Sequence, residues 1–250
     1  MSFLGRNTIL TFAGIQYKNN MKNNISVIAF DADDTLWVNE PYFQETEQKF
    51  CALLEAYVPR HIAAQELFKT EMANLHLYGY GVKGFMLCMI ETIDRVSKGK
   101  ASIALIEASI ALGKELLQKP IVLLDQVAET LQSLQGKYKL VMATKGDLLD
   151  QERKSKQSGL QSYFHHIEIM SDKKEGDYQK LMNHLDCRPD QFLMIGNSLK
   201  SDVLPVLALD AYAAHIPYHT TWAHEHTEQV PEHPRLMTLN AIQDILNYIS

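Results

Sequence analysis

The sequence has few of the features that mark disulfide-rich, membrane-spanning or nucleic-acid-binding proteins. Only three of its 250 residues are cysteine, and no C-x-x-C pair occurs, which indicates neither a disulfide framework nor a thiolate zinc site. Its apolar runs are too short to cross a bilayer. A formal net charge of −6 argues against a general nucleic-acid binder, which needs excess lysine and arginine. We therefore expect a cytoplasmic protein with reduced thiols and no membrane or nucleic-acid partner.

The first 24 residues differ in character from the rest. An apolar patch at residues 9–15 lacks the basic start and small-residue cleavage site of a secretion signal. A polar run at residues 18–24 separates this patch from the first clear strand. We interpret residues 1–24 as an N-terminal extension of unassigned role, although translation could begin at Met21.

From residue 25 onward, short apolar runs alternate with helical patterns. Such runs, bounded by turn residues, are typical of strands buried on both faces of a parallel sheet. The alternation predicts an α/β fold, a Rossmann-like parallel sheet with helices on both faces. Strands are predicted at residues 25–30, 140–143, 167–170, 192–195 and 211–216. Helices are predicted between them at residues 124–135, 147–158, 177–185 and 199–207.

Residues 41–120 interrupt this alternation with helical patterns alone, near residues 41–57, 63–77, 82–96 and 102–117. The insertion leaves the core just after an acidic cluster. The sequence therefore predicts an all-α cap at residues 41–120 on a core of residues 25–40 and 121–250. A helical insertion that only adds bulk is the alternative.

Polar residues follow four of the predicted strands where each strand ends. Ligands bind at the carboxyl ends of strands in open parallel sheets, so these residues are expected to meet. The most specific segment is FDADDTLW at residues 30–37. In extended backbone, Asp31 and Asp33 point to one side, where two carboxylates repel unless a cation intervenes or one is protonated. This arrangement suits magnesium and an acid/base; an acidic turn that caps a helix is the alternative.

The segment resembles the DxDxT signature of the haloacid dehalogenase-like superfamily, in the DxDDTLW form common among its phosphatases. The resemblance extends from about residue 25 onward and implies Mg²⁺-dependent hydrolysis of a small phosphomonoester, a phosphorylated metabolite. It implies that Asp31 attacks phosphorus, and that Asp33 protonates the leaving alcohol and then deprotonates water. An Asp31 oxygen and the Asp33 backbone carbonyl would bind the metal. Asp34 is not expected to be catalytic. Trp37 would lie on the flap that leads into the cap, and a role in packing alone is the alternative.

The resemblance extends to the later strands. Thr144, with its neighbour Lys145, matches the second motif and would bind phosphate oxygens at a helix start; a simple helix cap is the alternative for this threonine. The third motif requires a lysine that neutralises charge on the phosphoryl group and the nucleophile. Lys173 is preferred over Lys174 because of its spacing to Tyr178.

The fourth motif is IGNSLKSD at residues 195–202. Asp202 is expected to bind the metal. Many relatives have aspartate where this chain has Asn197, so the site loses a formal charge but keeps an oxygen ligand. Mg²⁺ prefers one or two carboxylates, waters and phosphate oxygens, so the site is still complete, with a higher magnesium requirement.

Two further regions could take part in substrate or metal binding. The segment YGYG at residues 78–81 resembles a segment of close relatives; Tyr80 and Lys83 would reach the substrate, unless the segment is a structural turn. Five histidines crowd residues 215–233, but their spacing matches no metal signature, so a second metal site and a surface loop both stay open.

Other functions share these motifs. Relatives that act as dehalogenases lack the second aspartate, whereas Asp33 is present here. A phosphomutase would use the same residues, and a non-catalytic phospholigand-binding protein usually lacks the nucleophile or the acid. Between Thr144 and Lys173 there is room for one helix and one strand only, so the helical insertion is the only cap that fits, which favours small substrates. The sequence identifies neither the phosphomonoester nor the oligomeric state.

Overall fold

The computed structural model describes residues 24–227 and 230–249, so the predicted extension at residues 1–24 lies outside the described residues except for its last position. A parallel sheet forms the centre of this part of the chain. Its strands are β1 (Val27–Phe30), β2 (Lys139–Lys145), β3 (His166–Met170), β4 (Phe192–Gly196), β5 (Tyr212–His215) and β6 (Leu236–Thr238). The strand order is β3-β2-β1-β4-β5-β6, and every pairing is parallel.

Strand β1 lies between β2 and β4 and is buried along its whole length. Its last residue, Phe30, is in register with Met142 on one side and Ile195 on the other. Apolar clusters cover both faces of the sheet, which explains why the central strands are apolar throughout. The residue that follows β1 therefore emerges at the middle of the carboxyl edge.

Five α-helices of the described chain lie between β1 and β2, and the first four make up the insertion. These four are α1 (Glu40–Leu53), α2 (Arg60–Tyr78), α3 (Val82–Ser97) and α4 (Ile103–Leu117). Their apolar faces form a cluster of their own that includes Phe50, Leu67 and Met89. At Gly113, an added Cβ would lie 2.7 Å from the Met86 sulfur, so glycine permits the close approach of α4 to α3. The predicted fold class, a parallel α/β sheet with an inserted all-α region, is confirmed.

The remaining helices are α5 (Val127–Leu134), α6 (Leu148–Gln157), α7 (Glu175–His184), α8 (Leu204–Leu207) and α9 (Leu246–Ile249). Helix α6 starts where the Asp147 side chain accepts the N–H of Asp150, and Gly159 follows its end with a φ of 71°, a left-handed conformation that favours glycine. The helix predicted at residues 199–207 begins instead as a π-helical turn, Leu199–Val203, a feature frequent at functional sites.

The sequence patterns do not predict β6 or α9, which are only 3 and 4 residues long and too short for a periodicity to emerge. Within residues 24–227 and 230–249, none of the helices has the length and apolar character needed to cross a membrane.

Candidate active site

The carboxyl edge of the sheet gathers the predicted site residues. Asp31 follows β1, Thr144 lies at the end of β2, Lys173 follows β3, and Asn197 follows β4. The backbone N–H of Asp31 donates to the carbonyl of Ile195 at 2.9 Å, which extends the pairing of β1 with β4 by one residue. Parallel pairing thus explains why side chains so far apart in sequence meet.

Lys173 joins two buried carboxylates. Its Nζ lies 2.5 Å from Asp31 Oδ1 and 2.7 Å from Asp202 Oδ1, and its side chain is 1% exposed. Burial acts to lower the pKa of Lys173, but Asp202 and Asp31 raise it well above its ordinary value, so the lysine is an ammonium ion. Lys174 has a side chain that is 78% exposed and pairs with Asp172. The structure thus brings Lys173, rather than Lys174, to Asp31.

Asp31 is subject to opposing electrostatic effects. Burial raises the pKa of its carboxyl group, the Lys173 ammonium lowers it and Asp202 raises it, with a net rise. One ammonium serves two buried carboxylates, so the cluster keeps an excess of negative charge. A further cation at this point would be stabilised by both carboxylates.

The oxygen donors of this cluster fit a magnesium ion. Thr35 Oγ1 lies 3.0 Å from Asp31 Oδ2 and 3.3 Å from Asn197 Oδ1, so both oxygens border the same hydroxyl group. Gly196 makes room for Asp202, because an added Cβ would lie 2.2 Å from Asp202 Oδ2. Mg²⁺ prefers such oxygen ligands and commonly uses one or two carboxylates. The described residues contain no group of three His, Cys, Asp or Glu side chains able to hold a metal, so waters and phosphate oxygens would complete the coordination.

Asp33 has a separate set of partners. Its Oδ1 accepts from Trp37 Nε1 at 2.7 Å and from Lys154 Nζ at 2.6 Å, and its Oδ2 accepts from Gln151 Nε2 at 3.0 Å. The same Gln151 nitrogen donates to Thr144 Oγ1 at 2.7 Å. The Asp33 carboxylate therefore contacts the Thr144 side of the site, and its partners differ from the lysine that bridges Asp31 and Asp202. Of the Asp33 oxygens, the backbone carbonyl is the one left as a candidate metal ligand.

The turn of the first motif begins after Asp31. Strand β1 ends at Phe30, and the N–H groups of Thr35 and Leu36 donate to the Ala32 carbonyl, so Asp33 lies within the turn that follows. That the carboxylates of Asp31 and Asp33 point to one side stays a prediction.

Lys145 is held by a residue that carries no sequence signal. Its Nζ donates to Glu225 Oε1 at 2.6 Å and to Ser201 Oγ at 2.8 Å. Glu225 Oε2 accepts from the hydroxyls of Ser198 and Ser201, at 2.5 and 2.6 Å. Burial acts to raise the pKa of Glu225, but Lys145 and these hydrogen bonds lower it to about 2. Glu225 is therefore ionised and ties the second motif to the fourth.

Tyr80 and Lys83 occupy different positions relative to the site. Lys145 Nζ lies 4.1 Å from the centre of the Tyr80 ring, and the Tyr80 hydroxyl lies 3.4 Å from Asp172 Oδ1. The Lys83 side chain is 50% exposed and pairs with Asp147 at 2.9 Å. Tyr80 lines the cavity described next, whereas Lys83 is absent from its described lining, and a substrate role for Lys83 stays a prediction.

A cavity of about 180 Å³ lies between the sheet edge and the helical insertion. Its floor includes Asp31, Thr144 and Lys173. Its roof comes from the insertion and includes Glu40, Phe43, Glu47, Glu71, Tyr80 and Phe85. Burial raises the pKa of Glu40 and of Glu71 to about 8, so both are largely protonated at neutral pH. The roof is thus polar but carries less negative charge than its composition suggests.

The histidines of residues 215–233 do not converge. His215 Nε2 donates to the Asn197 carbonyl at 3.0 Å beneath the fourth motif, and burial lowers its pKa. His219 and His224 each contact a neighbouring aromatic ring. The described part of the chain contains no group of three metal-binding side chains in this region, so no observation supports the second metal site considered from the sequence.

Sequence reasoning missed Gln151, Lys154 and Glu225. The first two are three residues apart on α6 directly after the second motif, a spacing that places them on one helix face, and this was the available signal. Glu225 follows β5 in a segment without regular periodicity. Nothing in the sequence marks it.

Comparisons with known proteins agree with this geometry. A family model described as haloacid dehalogenase-like hydrolase matches residues 25–209. A haloacid dehalogenase-like family hydrolase from Xanthomonas campestris is similar with a TM-score of 0.79 and 35% identity, over 87% of each chain. A predicted phosphoglycolate phosphatase from Haemophilus somnus shares the fold with a TM-score of 0.59, at 14% identity over 90% of this chain and 97% of its own. A 2-haloacid dehalogenase from Pseudomonas syringae does so with a TM-score of 0.62, at 14% identity over 90% and 97%.

No curated protein matches the chain. The family match nevertheless extends from the strand before Asp31 to the residues beyond Asp202, and so includes all four motif loops that meet at the carboxyl edge. Fold, motif order and a relative with 35% identity along most of the chain lead to one assignment. This chain belongs to the haloacid dehalogenase-like hydrolase family.

Proposed function

We propose that this hydrolase cleaves a small phosphomonoester, with Mg²⁺ as its cofactor and Asp31 as its nucleophile. The observation that carries the proposal is the contact of buried Asp31 with Lys173 at 2.5 Å, next to a second carboxylate, Asp33, with partners of its own. Relatives that act as dehalogenases lack that second aspartate. A nucleophile and a separate acid/base are what hydrolysis through an acyl phosphate requires.

The first step transfers the phosphoryl group to Asp31. A carboxylate oxygen attacks phosphorus, the bond between phosphorus and the alcohol oxygen breaks, and Asp33 gives its proton to that oxygen. Lys173 and Thr144 stabilise the negative charge that develops on the phosphoryl oxygens. Bound Mg²⁺ would supply further charge neutralisation between the phosphate and the carboxylates.

The second step returns the enzyme to its starting state. Asp33 takes a proton from water, the water oxygen attacks phosphorus, and the bond from phosphorus to Asp31 breaks. Inorganic phosphate leaves and the Asp31 carboxylate is restored. Both steps require that bulk water be kept away from the reacting groups. We propose that helices α1–α4 act as a cap that excludes bulk solvent.

The cavity supports a small substrate. Its volume of 180 Å³ is below the range of about 300–1,000 Å³ common for sites of drug-sized ligands. A phosphorylated metabolite of a few carbons would fit between the charged floor and the polar roof. The three cysteines are free and buried, which suits the cytoplasmic location that we propose.

The test is phosphate release from 4-nitrophenyl phosphate with Mg²⁺ and with EDTA. We expect activity with Mg²⁺ only, and a loss of about 10⁴-fold or more in Asp31→Asn if the catalytic groups act as a unit. The matched control is Asp125→Asn, at an exposed aspartate outside the site, which should retain full activity. An inactive wild type, or an active Asp31→Asn variant, contradicts the proposal.

A phosphoryl group on Asp31 distinguishes the proposed phosphatase from a phosphomutase and from a binding protein. Asp33→Asn should accumulate a hydroxylamine-sensitive phosphoryl group on Asp31, because 4-nitrophenolate leaves without full protonation while the second step lacks its base. A phosphomutase would instead pass the phosphoryl group to a sugar phosphate, and a binding protein would form no adduct. Mass spectrometry of the peptide that contains Asp31 distinguishes these outcomes.

A further inference from the structure

We propose that Lys154 is a positioning residue that holds Asp33 in the orientation needed for proton transfer. The inference rests on the proposed role of Asp33 as acid/base. Lys154 belongs to none of the motifs and lies on α6, ten positions after Thr144. Its Nζ donates to Asp33 Oδ1 at 2.6 Å and to Asn39 Oδ1 at 3.1 Å.

The burial of Lys154 calls for a charged partner. Only 8% of the residue is exposed, and lysine is almost never buried unless it is paired. The Asp33 carboxylate is the only partner of opposite charge within ion-pair distance among the described residues. A lysine whose function was packing alone would leave a desolvated ammonium that destabilises the fold. The position of Lys154 is therefore best explained by the carboxylate that it contacts.

Helix α6 presents two donors to Asp33 from one rigid element. Gln151 and Lys154 lie on the same face of the helix, three residues apart, and contact different oxygens of the carboxylate. Trp37 provides a third donor from the opposite side of the turn. An aspartate has two side-chain torsions, and three donors in fixed positions leave it one orientation.

Lys154 also connects Asp33 to the start of the helical insertion. Asn39, its second acceptor, directly precedes α1, and Asn39 N–H donates to the Asp34 carboxylate at 2.8 Å. The contact therefore fixes the proton-transfer group relative to the segment on which the insertion is mounted. Loss of the ammonium should loosen Asp33 while Asp31 and its lysine partner stay in place.

The expected effect is specific to the leaving group. Phenyl phosphate and 4-nitrophenyl phosphate have nearly the same shape, but phenolate is the poorer leaving group and depends more on protonation by Asp33. We expect Lys154→Met to reduce kcat/KM for phenyl phosphate about tenfold more than kcat/KM for 4-nitrophenyl phosphate, as part of the ~10²–10⁴-fold that general acids contribute. A merely structural role would reduce both values by the same factor.

The experiment compares matched variants of the full chain. Lys156→Met is the control, because Lys156 is exposed on the same helix and should leave both kcat/KM values unchanged. Lys154→Gln keeps a shorter N–H donor and should give a smaller change in the same direction; it replaces Lys154→Met if circular dichroism shows that the methionine variant is unfolded. In an Asp33→Asn background, Lys154→Met should change kcat/KM less than about threefold, since coupled residues are non-additive.

The outcomes are distinguishable. A selective loss for phenyl phosphate that disappears in the Asp33→Asn background supports the inference. Equal losses for both esters, no loss, or an undiminished loss in that background overturns it while the proposed function stands. A wild type that releases phosphate from neither ester overturns the proposed function, and this inference falls with it.

Discussion

Replacement of Glu225 by glutamine tests the electrostatic link between the second and fourth motifs. Glutamine keeps the size of the side chain and one carbonyl oxygen, but it cannot pair with the Lys145 ammonium. It also places an amide nitrogen where a carboxylate oxygen accepts from Ser198 and Ser201. The variant therefore removes the charge with little change in packing.

The expected loss of stability follows from the pKa of Glu225. In the folded protein it is lowered from 4.5 to about 2, and each pKa unit corresponds to about 1.4 kcal/mol. Ionisation of Glu225 thus contributes about 3 kcal/mol to the free energy of unfolding at pH 7. Because the pKa is lowered, this contribution is present above pH 4.5 and is lost as the pH falls towards about 2.

Urea denaturation at a series of pH values measures the effect. We expect Glu225→Gln to be less stable than the wild type by about 3 kcal/mol between pH 5 and 7, with the difference decreasing below about pH 4. Glu232→Gln is the matched control, since Glu232 is exposed in the same C-terminal region and should change stability by less than about 0.5 kcal/mol.

Two results would refute this reasoning about Glu225. One is a loss at pH 7 of less than about 1 kcal/mol, as for an exposed ion pair. The other is a loss of full size that does not change between pH 7 and pH 3, which would show that packing rather than charge explains the destabilisation.

Two other predictions concern the acidic groups of the site. Asn197→Asp restores a carboxylate to the cluster and should lower the Mg²⁺ concentration for half-maximal activity; equal or tighter binding by the wild type in parallel titrations would contradict this. Burial raises the pKa of Asp34 from 3.8 to about 7, against the hydrogen bonds from Asn39 and Glu40, so wild-type stability should fall as pH rises through this range. Asp34→Asn should therefore be more stable than the wild type by about 1–3 kcal/mol at pH 8, once the cost of burying an amide is subtracted, and should not be more stable at pH 4. Urea denaturation in EDTA measures this difference in stability. A difference that does not change with pH would refute the prediction.

Much of the sheet could be predicted because its strands are short apolar runs that end in polar residues. Phe192–Gly196 is an example, since all five residues are buried and the fourth motif follows directly. Lys173 could be preferred over Lys174 because its spacing to Tyr178 resembles the third motif, and the structure places it beside two buried carboxylates. Lys154 could not, since it lies in the polar run ERKSKQ of α6, which is typical of a solvated helix face. Only the tertiary contact with Asp33 shows which of its lysines is buried.

The two aspartates of the first motif have different partners, and this bears on mechanism. Asp31 contacts a lysine shared with Asp202, whereas Asp33 accepts hydrogen bonds from a lysine of its own, an indole and an amide. Two carboxylates in one environment would compete for the same role. Different environments are what permit a division between a nucleophile and an acid/base, and here tertiary contacts with residues 151, 154 and 173, which a two-residue spacing does not predict, produce that difference.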